Sequence, residues 1–129
     1  MFESSAQAVG SGNIVNAQQD STASAAGNFN VVNAVDDSEA EASGDLNLAY
    51  AAEGSEAYVT GNGSVAVGTT DSVAVTEGDG SQAMAFNDSA ALVEGDGNVG
   101  IAQDDSVAVI DGDGSIAVAE QDSVALTNG

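Results

Sequence analysis

The sequence predicts an all-β fold, a β-solenoid (parallel β-roll) of about 7.5 coils, with 17 residues and two strands per coil around a small-residue core. Three observations predict it. The chain fits one repeat of 17 positions without a single insertion, an eight-residue unit followed by a nine-residue unit. Within each unit apolar residues recur at every second position, the period of a strand and not of a helix. Between the units stand clusters of Gly, Asp and Asn, which supply positive φ and local side-chain-to-backbone bonds and so mark turns.

The eight-residue units begin at Met1, Gln18, Val35, Ala52, Thr69, Phe86, Gln103 and Glu120. Their fourth position is always Ser, from Ser4 and Ser21 to Ser72, Ser89, Ser106 and Ser123, and their sixth is always Ala, including Ala74, Ala91, Ala108 and Ala125. The nine-residue units carry Gly second, from Gly10 and Gly27 to Gly95 and Gly112. Helices are excluded because this punctuation interrupts them before three turns form. Antiparallel hairpins would satisfy the short turns. A coil explains more, because identical residues stack directly only when successive windings superpose.

Tolerance at each position fixes the inward face. The fifth and seventh positions of the eight-residue unit hold Glu39, Glu41 and Glu56 as well as Val73 and Val75. Unpaired glutamates cannot occupy a thin dry core, so those positions face out. The predicted core ladder is then Ser72, Ala74, Ser89, Ala91, Ser106, Ala108, Ser123 and Ala125 with their equivalents, plus a third small residue such as Ala25, Val59, Val93 or Ile110. The same parity turns Asn30, Asn47, Ser64, Ser81 and Asn98 inward from the nine-residue units, where stacked side chains are expected to bond along the axis.

The outward positions divide the single domain, 1–129, into a half with polar-faced coils, 1–59, and a half with apolar outer faces, 60–129. Val73, Val75, Leu92, Val107, Val109, Val124 and Leu126 are predicted on one side, and Val65, Val67, Val99, Ile101, Ile116 and Val118 on the other. Apolar patches of this extent mark an interface, and a second copy of the chain is the expected partner. The strand pattern carries no Pro and no basic residue to blunt an open strand edge, which favours end-to-end addition of coils.

Composition narrows the function. There is no Lys, Arg, His, Cys or Pro, and 21 acidic residues give a net charge of −21. With nothing basic to meet a phosphate, nucleic acid and anionic membrane surfaces are excluded as electrostatic partners. No apolar run approaches the ~20 residues that cross a bilayer, so membrane insertion is not expected. Without His, Cys or Lys an enzyme is not expected either, since no side chain titrates near neutral pH.

Stacking aligns Asp71, Asp88, Asp105 and Asp122 in one acidic column and Asp79, Asp96 and Asp113 in another. Two readings of these columns stand. Calcium, a hard cation that takes carboxylate and turn-carbonyl oxygens, is the expected ion at segments such as Asp111-Gly-Asp-Gly. The other reading is a solvated acidic surface screened by salt.

Asp-Ser-Val-Ala-Val at 71–75 and 105–109, Gly-Ser-Val-Ala-Val-Gly at 63–68 and Asp-Ser-Val-Ala-Leu at 122–126 resemble the Ser-Val-Ala-Ile-Gly repeats of trimeric autotransporter adhesin heads. The likeness spans residues 60–127 and departs in carrying two motifs per 17-residue coil, where that family has one per shorter coil. The resemblance implies a surface-exposed parallel β-roll, trimerisation and binding of host or matrix ligands. Two functions follow as expectations: a structural subunit of an extracellular filament or surface appendage, assembling by coil stacking and lateral packing, or an adhesin-type binding module on a cell or phage surface. An ice-binding solenoid fits less well, because Thr60, Thr69, Thr70, Thr76 and Thr127 form no regular array.

Overall fold

The computed structural model describes residues 5–129; Met1 and Ser4, the first unit's opening residue and serine, lie outside them. Fifteen strands of five residues follow one another: β1 (Ser5–Val9), β2 (Ile14–Gln18), β3 (Thr22–Ala26), β4 (Val31–Val35), β5 (Glu39–Ser43), β6 (Leu48–Ala52), β7 (Glu56–Thr60), β8 (Val65–Thr69), β9 (Val73–Glu77), β10 (Gln82–Phe86), β11 (Ala90–Glu94), β12 (Val99–Gln103), β13 (Val107–Asp111), β14 (Ile116–Glu120) and β15 (Val124–Asn128). Odd-numbered strands form an eight-stranded sheet and even-numbered strands a seven-stranded sheet. Every pairing is parallel, which rejects hairpins; Val75 lies beside Leu92, and Leu92 beside Val109. The predicted solenoid is therefore the fold, and no helix is present among the described residues.

The two turns of each coil solve different problems. Between the seven-stranded and eight-stranded sheets, two successive residues adopt left-handed geometry, as at Thr70 and Asp71 (φ 57° and 58°) and at Asp104 and Asp105 (φ 59° and 57°). Asp and Asn tolerate that region better than other side-chain-bearing residues, which accounts for the acidic content of this turn. At the other turn the invariant glycine is imposed by the coil below. A Cβ on Gly61 would sit 2.0 Å from the carbonyl oxygen of Gly44, a distance no side chain survives. Turn backbone groups extend the ladder between coils, with Gly61 N–H donating to Glu77 O at 2.8 Å and Gly63 N–H to Asp79 O at 3.0 Å.

The core is as narrow as its residues. Ala23, Ala40, Ala57, Ala74, Ala91 and Ala108 are buried from the eight-stranded sheet, and Ala34, Ala51, Ala66, Ala83 and Ala102 from the seven-stranded sheet. Larger residues change sides along the axis: Val15 and Val32 fill the seven-stranded side early, then Val59, Thr76, Val93 and Ile110 fill the eight-stranded side opposite Ala49, Ala66, Ala83 and Gly100. A narrow slot packed to protein density has room for one branched side chain per level. The buried apolar cluster ends at Ala74 and resumes at Ala83. Thr76 lies in that interval, fully buried, with a hydroxyl that has no hydrogen-bond partner among the described residues.

Candidate functional site

Two polar ladders run through this core. Ser72 N–H donates to Ser89 Oγ at 3.0 Å, Ser89 N–H to Ser106 Oγ at 3.1 Å and Ser106 N–H to Ser123 Oγ at 3.0 Å. The hydroxyls of Ser89 and Ser106 in turn donate to the carbonyls three residues before them, Phe86 O and Gln103 O, both at 2.8 Å. The opposite corner repeats the device with Asn and Ser: Asn47 N–H donates to Ser64 Oγ at 3.0 Å, Ser81 N–H to Asn98 Oδ1 at 2.6 Å. The expected axial ladder is thus present, but it runs from backbone N–H to side chain. The donor is the N–H of the residue just before each strand, which has no backbone acceptor, whereas the strand's own first N–H, as at Val73, donates to a serine carbonyl of the preceding coil.

The acidic columns behave differently from one another. Asp79 Oδ1 accepts from Asp96 N–H at 2.8 Å and Asp96 Oδ1 from Asp113 N–H at 2.9 Å, so these carboxylates already serve the backbone of the next coil. Asp71, Asp88, Asp105 and Asp122 are exposed on the other turn. Among the described residues no three acidic side chains converge closely enough to hold a metal ion. The expected calcium ligands lie in two lines along the axis, each line contributing one carboxylate per coil. Glu53 does meet a neighbour: its carboxyl hydrogen-bonds to Asp36, and that bond with the Asp36 charge raises its pKa above 4.5. Tyr58 is likewise raised above 10.0, chiefly by donating to Glu56 Oε2 at 2.9 Å.

The predicted association residues fall on two opposite outer faces with different electrostatics. On the seven-stranded sheet Ile14, Val31, Leu48, Val65, Val99 and Ile116 form one outward column, broken by Gln82, and Tyr50, Val67, Met84, Ile101 and Val118 extend another. Its outward strand positions carry one charge, Glu120, among the described residues. The eight-stranded sheet's outer face carries Glu39, Glu41, Glu56, Glu77, Glu94 and Asp111. Its outward side chains in β1, β3, β5 and β7 are polar apart from Val9, Ala26 and the ring of Tyr58, while Val73, Val75, Leu92, Val107, Val109, Val124 and Leu126 form its apolar half. The eight-stranded face thus turns apolar at β9, whereas the seven-stranded face already carries Ile14, Val31 and Leu48 beside Asn16 and Asn33 in its first strands.

Phe29 and Leu46 were not legible as special. Both occupy the turn position that is Gly12, Gly63, Gly80, Gly97 or Gly114 in other coils, with left-handed φ of 65° and 61°, and both are exposed, at 61% and 52%. The signal that would have found them is the loss of Gly at that position in two successive coils.

Comparison with protein-family models, curated proteins and solved structures finds no match. No helix is long and apolar enough to cross a membrane among the described residues.

Proposed function

We propose that this chain is a structural subunit of an extracellular filament or surface appendage, associating laterally through the outer face of the seven-stranded sheet. The observation that carries the reading is the distribution of charge. A chain of net charge −21 with no basic residue repels its own copies at every surface except one that is both apolar and uncharged. The face built on Val65, Val67, Val99, Ile101, Ile116 and Val118 comes nearest to both conditions, with Glu120 the one charge at its outward strand positions among the described residues, and Ile116 is 58% exposed. Among the described residues β1 and β15 edge one sheet and β2 and β14 the other, and axial growth would use such edges.

Sedimentation velocity tests this directly. Raising NaCl from about 0.05 M to about 0.5 M, which shortens the screening length severalfold, should drive the protein into larger species. Val67→Glu or Ile101→Glu should hold it as a monomer under the same conditions. A monomer at high salt, or assembly indifferent to both substitutions, would reject the reading. The second reading, an adhesin-type binding module, is favoured by the Ser-Val-Ala-Val segments that end on β8, β9 and β13. Negative-stain images separate the two, long uniform fibres supporting the filament and discrete short trimeric rods the adhesin.

A further inference from the structure

The eight-stranded sheet's apolar half cannot serve the same purpose, because of what flanks it. Val75, Leu92 and Val109 lie side by side in register and floor a shallow groove of about 230 Å³. One bank is Glu77, Glu94 and Asp111, again in register and lining the groove. Past the outward residues of the parallel column, Val73, Ala90 and Val107, the exposed turn carboxylates of Asp71, Asp88 and Asp105 make the other bank. An aliphatic stripe thus runs along the solenoid axis between two rows of negative charge, with no cation in the chain to neutralise either row.

We infer that this groove is a docking site for a cationic amphipathic helix from another protein, laid along the solenoid axis. A second copy of the chain is disfavoured because it has no cation to meet either row of carboxylates, and an anionic lipid surface because it would add negative charge. Charge on both sides of an apolar stripe is what a helix presents when Lys or Arg flank its i, i+3, i+4, i+7 aliphatics. The dimensions agree. From β9 to β15 the stripe spans three strand spacings, ~14 Å, which about ten residues of helix cover at ~1.5 Å each. The inference does not depend on lateral self-association, which uses the opposite sheet.

The test uses a synthetic peptide of about fourteen residues with leucines at i, i+3, i+4, i+7 spacing and lysines flanking them, titrated by fluorescence anisotropy at about 0.15 M salt. A shuffled peptide of the same composition controls for adsorption to an acidic surface. The striped peptide should bind at least ~10-fold more tightly than the shuffled one, a difference attributable to the apolar stripe. Leu92→Ser, on a side chain exposed enough to spare the fold, should remove that advantage, Glu94→Gln should lessen binding and its salt dependence, and Ile101→Ser on the opposite face should change neither. Equal binding of the two peptides, or a striped peptide indifferent to Leu92→Ser in protein whose circular dichroism is unchanged, would overturn the inference.

Discussion

Gly100 and Ile110 face one another across the core: a methyl group placed on Gly100 would lie 3.0 Å from both Cδ1 and Cγ1 of Ile110. The pair is the extreme case of the size exchange that runs the length of the molecule, where each level admits one branched side chain. Gly100→Ala should therefore destabilise by about 1–3 kcal/mol through overpacking. Combined with Ile110→Val, which removes one of the two obstructing carbons, it should cost less than the sum of the single changes, and a double-mutant cycle in denaturant measures that coupling.

Thr76 presents the opposite defect, a buried hydroxyl without a partner at the seam between two apolar clusters. Valine has the same shape and no desolvation cost. Thr76→Val should raise stability by about 1–2 kcal/mol in urea unfolding; a loss of stability would mean that the hydroxyl is satisfied in solution.

The serine ladder predicts a loss where side-chain volume barely changes. Ser89→Ala deletes the acceptor for Ser72 N–H and a donor to Phe86 O together, leaving the buried Ser72 N–H unpaired and Phe86 O with Thr70 N–H alone. The expected cost is about 1–3 kcal/mol. Ser5→Ala, at an exposed outward position, is the control and should stay within about 0.5 kcal/mol.

Repeat arithmetic made the winding, the sheet faces and the core parity legible, because Ser and Ala hold phase through every copy and Glu39 and Glu41 exclude their own face from the interior. What it did not give was the partner of each ladder group. Whether Ser89 bonds to another serine's backbone or to its own turn depends on where the N–H just before each strand points, and composition is silent on that. The acidic columns show the same gap: Asp79 and Asp96 look like ligands in sequence, and only the register shows that each also accepts the next coil's N–H. The uncharged seven-stranded face was legible residue by residue, yet its significance appears only when all outward strand positions are set beside the acidic opposite sheet.

Electrostatics gives a signed prediction for pH and salt. Glu53 has its folded pKa raised, by its hydrogen bond to Asp36 and the charge of that group. The folded state then binds its proton more tightly than the unfolded chain, so this contribution is fully present below pH 4.5 and is lost as pH rises through the raised folded value. Melting temperature should fall across that window, and Glu53→Gln should flatten the fall. At neutral pH added salt can only stabilise, since every fixed side-chain charge is negative. Calcium and magnesium should act alike if they serve as divalent counterions; a calcium-specific rise would point to a built site.

The stacking of one coil on the next at an offset of 17 residues is the relationship on which all of this rests. Paired nitroxide labels test it in a chain that has no native cysteine. Val75→Cys with Leu92→Cys places the labels on neighbouring strands of one face, ~4.8 Å apart at the backbone. Strong dipolar broadening is predicted for that pair, and much weaker broadening when Leu92→Cys is combined with Val118→Cys, an exposed position on the outer face of the opposite sheet. Weak coupling between positions 75 and 92 in folded protein would contradict the stacked coil.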